Sequence, residues 1–409
     1  MHRVLVVAIM LLAMNLRAPI LGITPLLQFI RVDYGLSNSV VSLLTALPLL
    51  IFALFSSFSA DWSKRFGIGR VLVVSLLCIA LGELTRLLGG EIGLFIGTLI
   101  IALGIVSGNV LIPALIRGFF PHHMGIMTSS YSSIMQVTTT VVLLSAVPIS
   151  VYWGWANTLA LLLVVSIAAL LVWMPFRKLT LENTSHTKEY IDDTKEDINT
   201  TNTVSDIQVE HSSITLKQMY SQSLAWYITL FMGIQSILFY SISTWLPTIV
   251  VSKGFTPTWG GYMGFIFQLV SLVIGFIAPV VMHHFKDQRS MAVAACLAYG
   301  LGMVGLFTIT DVNLLIVSIF IMGAGAGSTF SIALMYFVLR TETAFTSAEL
   351  SGTGQAIGYL LASVGPLCLG YIYDVTQSWW GAMIVLVILC IIFGYCGYMA
   401  GFDRRIKER

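Results

Sequence analysis

Residues 185–213 read SHTKEYIDDTKEDINTTNTVSDIQVEHSS, a stretch rich in acidic, Thr and Ser residues and poor in large apolar ones. Such a composition cannot bury enough apolar surface to form a core. We therefore predict a largely disordered linker over residues 176–222. The sequence on either side of it is apolar, and the linker divides that apolar sequence into two parts of similar length.

The overall composition indicates a membrane protein. Of the 409 residues, 57% are hydrophobic and only 10% are charged, whereas a soluble domain carries roughly 25% charged residues. A chain this poor in charge cannot cover a water-exposed surface, so lipid must contact most of its exterior. The net charge of +2 is too small to suggest a nucleic-acid partner.

Twelve apolar runs are long enough to cross a bilayer, which takes about 20 residues each. Six precede the linker and six follow it, which predicts an N-terminal six-helix bundle over residues 1–175 and a C-terminal one over 223–409. The predicted spans 1 to 12 are 4–30, 38–60, 70–88, 91–116, 124–148, 153–175, 223–249, 258–282, 290–309, 312–339, 352–375 and 379–401.

The basic residues predict how the spans are oriented. Of the 21 Lys and Arg residues, all but Arg17 lie near span ends or in connecting segments. Only Arg31, Arg86 and Lys253 lie on the side opposite the termini. By the positive-inside rule, both termini and the linker are expected in the cytoplasm, with the chain a multi-pass protein of the plasma membrane.

The two sets of six spans repeat each other's landmarks. Basic residues follow spans 2 and 8, a Gly-x-x-x-Gly pair lies in spans 4 and 10, an Arg closes each of these spans, and a Gln lies in spans 5 and 11. The pairs are Lys64 and Lys286, Gly104 and Gly323, Arg117 and Arg340, and Gln136 and Gln355. Two parallel six-span repeats are typical of the major facilitator fold. We predict an all-α membrane protein with that fold, twelve transmembrane helices in two six-helix halves.

Arg17 is the main candidate for substrate binding. It lies about halfway along span 1, where a charge costs about 2.5–3.5 kcal/mol on insertion scales. On a continuous helix, Thr24 and Gln28 would share its face. A guanidinium there can bind an anionic or strongly polar solute through two parallel hydrogen bonds. The alternative is a structural arginine bonded to backbone carbonyls or helix ends.

Other polar and aromatic residues within the spans are candidates for lining the same cavity. They are Gln136 in span 5; Gln235, Phe239 and Tyr240 in span 7; Gln268 in span 8; Gln355 and Tyr359 in span 11; and Asn109 in span 4. Buried amides and hydroxyls need hydrogen-bond partners. A solute cavity supplies them, but so does a neighbouring helix, and Asn109 can equally accompany a local bend at Pro113.

Charged residues at span ends are candidates for gating. Asp61 and Arg65 lie in the turn after span 2, and Arg117 and Arg340 close spans 4 and 10. An acid that pairs with a basic residue in one conformation only acts as a latch; the alternative is a solvated turn.

Glu83 and Arg86, three residues apart, are expected to pair with each other, with proton coupling by Glu83 left open. No metal site or cofactor is expected, because no carboxylate or thiolate joins a histidine pair.

Three motifs together resemble the cyanate and 2-nitroimidazole permease family (CynX/NimT) of the major facilitator superfamily. They are Asn15-Leu-Arg-Ala-Pro, Gly108-Asn-Val-Leu-Ile-Pro-Ala-Leu-Ile, and Gln235-Ser-Ile-Leu-Phe-Tyr with Trp245-Leu-Pro. The resemblance implies a gradient-driven carrier of small polar or anionic solutes. The family's motif Arg falls on Arg17, and its Gln-x-x-x-Phe-Tyr element falls on Gln235, Phe239 and Tyr240; Trp245 is a further candidate for substrate binding. The sequence departs from the common facilitator turn at Ser57 and at Gly67.

A secondary transporter, working as a monomer on a small-molecule substrate in the lipid bilayer, is therefore the expected function. The alternatives are an efflux pump of the same superfamily for other organic compounds or drugs, and a membrane receptor that binds without transporting. A coupling proton is left open. The sequence contains no Walker motif or catalytic triad, so neither an ATP-driven pump nor an enzyme is expected.

Overall fold

The computed structural model describes residues 2–120, 124–179, 216–282, 287–341 and 344–406, and within these ranges the chain is helical with no β-strand. Twelve helical segments there are long and apolar enough to cross a membrane. The helices of spans 2 to 12 are Asn38–Phe66, Ile68–Leu88, Gly90–Phe119, Met124–Trp153, Trp155–Trp173, Ser223–Ser252, Pro257–Met282, Arg289–Thr308, Val312–Leu339, Ala344–Thr376 and Trp380–Ala400.

These bounds confirm the predicted twelve spans, with most ends displaced by only a few residues. Most of the predicted linker, residues 180–215, lies outside the described residues. At its edges the structure has a short 3-10 helix, Met174–Phe176, and a five-residue helix, Leu216–Tyr220, that leads into span 7. The side on which span 1 begins is termed the near side below, and the side on which it ends the far side.

Span 1 is not one continuous helix. It consists of helix His2–Met14, helix Ala18–Leu21, the 3-10 turn Thr24–Leu26 and helix Leu27–Tyr34. Pro19 is the second residue of helix Ala18–Leu21, and Pro25 is the middle residue of the 3-10 turn Thr24–Leu26. A proline both lacks an N–H and obstructs the preceding turn of a helix, so each interrupts the helix just before it. The expectation that Arg17 shares a helical face with Thr24 was therefore wrong, because it assumed an unbroken helix.

Each six-span half has its own apolar core. One cluster of buried side chains runs from Met219 to Ile406, and two others lie between Leu5 and Phe176. Within each half, glycines let two spans approach closely. A Cβ on Gly327 would lie 2.2 Å from the Ser271 carbonyl oxygen of span 8, and one on Gly104 would lie 2.5 Å from the Ser75 carbonyl oxygen of span 3.

The halves meet along spans 2 and 11 and along spans 5 and 8. The break of span 1 contacts span 7 of the other half. On the far side the halves are joined by hydrogen bonds: Thr244 Oγ1 donates to Thr45 Oγ1 at 3.0 Å, and the Asp374 carboxylate accepts hydrogen bonds from the first residues of span 2. The interface is thus closed on the far side of Arg17.

Candidate functional site

Arg17 lies at the break of span 1, between the helices that end at Met14 and begin at Ala18. Its backbone angles, φ −137° and ψ −39°, depart from helical values. The side chain therefore leaves the chain where the regular helix is interrupted. It is half-buried, in contact with both halves of the protein.

The guanidinium of Arg17 has one partner in each half. Its Nη1 donates to Oε1 of Gln136 in span 5. On the other side, its Cζ lies 5.4 Å from the centre of the Phe239 ring in span 7. A cation over an aromatic face is attracted by the ring quadrupole. The break of span 1 thus brings together three of the predicted residues, Arg17, Gln136 and Phe239.

Further aromatic side chains lie near Arg17. Phe239 contacts Tyr240 edge to face, with ring centres 5.4 Å apart. Tyr359 of span 11 contacts Phe52 of span 2 with ring centres 6.0 Å apart. Tyr240 and Tyr359 both lie within electrostatic range of Arg17 and of each other. Two more predicted residues therefore face the same site, both with phenol groups.

Arg17 forms no ion pair with a carboxylate among the residues that the structure describes. Its remaining guanidinium N–H groups can serve a ligand. A guanidinium presents parallel donors that match two oxygens of one group. Such a fork beside the face of Phe239 suits a small planar solute that carries a polar or anionic group.

Beyond Arg17 towards the far side, the interface narrows to a void of about 10 Å³, lined in part by Thr24, Ser243 and Gln268. That volume is close to the space that a single water molecule needs. Gln268, a predicted cavity residue, is buried here. In this conformation a solute at Arg17 cannot pass to the far side.

Four predicted binding residues lie in environments other than that of Arg17. Trp245 is buried in the C-terminal half, where its indole N–H donates to the Pro366 carbonyl oxygen at 2.9 Å. The Gln355 amide donates to Ser351 Oγ at 2.8 Å. Gln235 is buried in span 7 beside Ser236, and Asn109 is exposed in span 4. In the described part of the chain, no hydrogen bond or cation–π contact joins these four to Arg17.

Of the four predicted gating residues, the structure describes the side chains of Arg65 and Arg340. The side chains of Asp61 and Arg117 lie outside the described residues, and Arg65 is exposed. Arg340 is buried and donates to the carbonyl oxygens of Ala400 and Gly401 at 3.0 and 2.9 Å.

Further near-side contacts surround Arg340. Its guanidinium also donates to Gln288 Oε1, next to Asp287. Hydrogen bonds from Arg289 lower the pKa of Asp287. Arg340 therefore joins the end of span 10 to the beginning of span 9 and the end of span 12.

Glu83 and Arg86 of span 3 are buried next to the break of span 1. Each forms hydrogen bonds with residues of other spans. Glu83 Oε2 lies 2.6 Å from Ser166 Oγ, which is 2.7 Å from Asn15 Oδ1. Arg86 donates from Nη1 to the Pro19 carbonyl oxygen at 2.7 Å. Glu83 and Arg86, which were expected to pair, interact electrostatically. They form no hydrogen bond with each other in the described structure, because both side chains extend to other spans. Asn15 and Pro19 flank Arg17 in the sequence, which is the signal by which this support could have been found.

The sequence profile of the Major Facilitator Superfamily matches residues 5–366. An uncharacterized transporter of Bacillus subtilis (strain 168), YycB, is 36% identical over 99% of this chain and 95% of its own length. The 2-nitroimidazole transporter of Escherichia coli (strain K12) is 34% identical over 99% of this chain and 97% of its own.

Among solved structures, a peptide transporter of the POT type in complex with sulfate has a TM-score of 0.74 at 13% identity. The match covers 97% of this chain and 94% of that one, and at this identity it shows the fold alone. The full-length similarities confirm the resemblance to the cyanate and 2-nitroimidazole permease family. The chain belongs to the Major Facilitator Superfamily and is a secondary transporter for small solutes.

Proposed function

We propose that this protein carries a small planar solute with a polar or anionic group, of the 2-nitroimidazole or cyanate type, and that Arg17 is its main binding residue. The observation that carries the proposal is the position of the guanidinium at the break of span 1. There it contacts Gln136 of one half and Phe239 of the other. A solute held by Arg17 would contact both halves at once.

The chemistry of a nitroheterocycle suits these groups. A nitro group presents two oxygens in one plane, which can accept parallel hydrogen bonds from a guanidinium. The heteroaromatic ring can pack against Phe239, Tyr240 and Tyr359. Gln136 would orient the solute as a neutral partner, and Gln235, Gln268 and Gln355 would bind it more weakly or in other conformations. The name of the Escherichia coli relative supports this substrate class.

Alternating access would proceed by movement of residues 1–175 against residues 223–409 about the Arg17 site, with residues 176–222 as a tether. The far side is closed by contacts between spans 2, 7 and 11, so we assign solute exchange in this conformation to the near side. From the charge asymmetry of the loops we assign the near side to the cytoplasm and the membrane to the plasma membrane. One chain contains both halves of the site, which supports a functional monomer.

Counterflow in proteoliposomes tests this function. Vesicles loaded with unlabelled 2-nitroimidazole should take up external labelled 2-nitroimidazole transiently above its equilibrium level, and excess cyanate should reduce that uptake. A receptor would bind the label without exchanging it, and a carrier of other compounds would show no counterflow of this one. Arg17→Ala should abolish the exchange, whereas Arg70→Ala, at an exposed position at the start of span 3, should preserve it.

A further inference from the structure

A cluster of buried polar residues forms hydrogen bonds with the segment of span 1 that carries Arg17. Glu83 and Arg86 of span 3 are only 5% and 4% exposed. Glu83 reaches Ser166 of span 6 and, through it, Asn15, whereas Arg86 reaches the carbonyl oxygen of Pro19. Asn15 begins the break, and Pro19 lies in the first turn of the helix that follows it. The position of Arg17 therefore depends on hydrogen bonds that end at Glu83 and Arg86.

The hydrogens in this cluster can be counted. The Asn15 amide donates from Nδ2 to the Leu11 carbonyl oxygen at 2.8 Å. This bond directs its Oδ1, which can only accept, towards Ser166 Oγ at 2.7 Å. Turning the amide around would place two acceptors 2.8 Å apart. The Leu162 carbonyl oxygen also lies 3.2 Å from Ser166 Oγ, but within helix Trp155–Trp173 it already accepts a backbone hydrogen bond. The hydroxyl hydrogen of Ser166 is therefore needed by Asn15.

Glu83 Oε2 is an acceptor as well if the carboxyl group is ionised. It lies 2.6 Å from the same Ser166 oxygen, and a hydroxyl carries a single hydrogen. An ionised Glu83 would thus leave two oxygens in close contact with no hydrogen between them. A protonated Glu83 resolves this conflict, because its O–H donates to Ser166 and Ser166 donates to Asn15.

The rest of the cluster agrees with a neutral carboxyl group. Glu83 Oε1 is fully buried and has no hydrogen-bond partner in the described structure. A buried and unpartnered oxygen costs far more on an ionised carboxylate than on a neutral acid. Arg86 is the charged group that faces Glu83. The neighbouring spans 1, 4 and 6 present Asn15, Thr98 and Ser166, none of which titrates.

We propose that Glu83 is a proton-binding site of this transporter and that it carries a proton in the conformation described here. When the proton leaves to water, the carboxylate loses its donor role towards Ser166. Arg86 Nη2, one helical turn away, is buried without a partner and can donate to it. That new bond would pull Arg86 from the Pro19 carbonyl oxygen and Glu83 from the link to Asn15. Asn15 and Pro19 would then be released together.

Infrared spectroscopy of the substrate-free protein in lipid tests the proton directly. We expect a C=O stretch of a protonated carboxylic acid at neutral pH that is absent in Glu83→Gln, whose amide keeps the size of the side chain. The band should persist in Glu91→Gln, which changes an exposed acid at the start of span 4. Ser166→Ala should shift the band, because it removes the acceptor of the Glu83 hydrogen. A wild-type spectrum without such a band, or a band unchanged in both Glu83→Gln and Ser166→Ala, would overturn the proposal.

The link to transport rests on the proposed function and is measured separately. In proteoliposomes we expect Glu83→Gln to lower the ratio of pH-gradient-driven accumulation to counterflow of 2-nitroimidazole at least tenfold, with Glu91→Gln unchanged. An unchanged ratio in Glu83→Gln would contradict coupling through this site. If the wild type exchanges no 2-nitroimidazole, the proposed function fails, and the infrared bands alone decide whether Glu83 holds the proton.

Discussion

The carboxylate of Asp374, near the end of span 11, accepts two hydrogen bonds from Ser39, at the start of span 2 in the other half. The Ser39 backbone N–H lies 2.8 Å from Oδ2 and its hydroxyl 2.6 Å from the same oxygen. Oδ1 accepts from the backbone and side-chain nitrogens of Asn38. The positive end of a helix dipole in one half therefore holds an acid of the other, and the far side of the interface is closed by it.

Asp374→Ala should weaken this closure. Hydrogen bonds to charged groups contribute about 1.5–3 kcal/mol each, so the loss of even one net bond should change the ratio of far-side-closed to far-side-open molecules by about tenfold. Spin labels at Glu91 and Thr310, exposed far-side positions in opposite halves, report this as a growing population at longer distance. Asp33→Ala is the control, since Asp33 bonds Trp155 within one half. Identical distance distributions in wild type and Asp374→Ala would show that other contacts hold the far side shut.

Phe239→Leu should weaken substrate binding about three- to tenfold. Leucine keeps apolar bulk but has no ring face for Arg17, and a cation–π contact contributes about 0.5–2 kcal/mol depending on its desolvation. Calorimetry with 2-nitroimidazole measures the affinity, with the exposed Phe276→Leu in span 8 as control. The effect should also depend on Arg17: in an Arg17→Ala background Phe239→Leu should cost little. Fully additive losses would mean that Phe239 acts independently of the cation.

The span pattern could be predicted from the sequence because a lipid-facing helix must be apolar for about 20 residues, whatever its neighbours are. The position of Arg17 near the middle of span 1 could be predicted as well, because it follows from the two ends of that apolar run. Its contact with Gln136, 119 residues away, could not, because single polar residues in spans do not specify which helix they face. In the sequence, Gln136 and Phe239 are separate signals, one polar and one aromatic, in spans of different halves.

The break of span 1 and the far-side closure show where sequence reasoning fell short. Pro19 and Pro25 are signals of an interrupted helix, but their number and spacing do not determine where regular structure resumes. Asp374 gives no such signal, because an acid near a span end is equally typical of a solvated loop. Its role depends on the first turn of span 2, which reaches it only when the two halves assemble.

The proposed orientation can be tested with single cysteines in a cysteine-free background. A cysteine at Thr200, in the linker, should react with a membrane-impermeant maleimide only after the cells are permeabilised. A cysteine at Glu91, an exposed far-side position, should react in intact cells. These results are expected because basic residues concentrate on the near side, and that side is retained in the cytoplasm. The opposite pattern at the two positions would reverse the assignment of both termini.

Arg17 should be the residue whose loss weakens substrate binding most. Two parallel hydrogen bonds to an anionic or nitro group are lost in Arg17→Ala, and charged hydrogen bonds contribute about 1.5–3 kcal/mol each, so affinity should fall at least tenfold. Arg17→Lys keeps the charge but not the planar fork, and it should restore only part of that loss. Gln136→Ala should have a smaller effect, because a neutral amide orients the solute without supplying charge.

The measurement for Arg17 is the affinity for 2-nitroimidazole, by calorimetry or thermal shift on detergent-purified protein, with Arg70→Ala as the matched surface control. Folding must be compared first, because Arg17 also contacts Gln136 and Phe239 across the two halves. Equal melting temperatures with a reduced affinity would assign the loss to the solute. If Arg17→Ala stays folded and binds as tightly as the wild type, Arg17 joins the two halves without touching the solute, and the binding site has to be sought around Tyr359 and Gln355 instead.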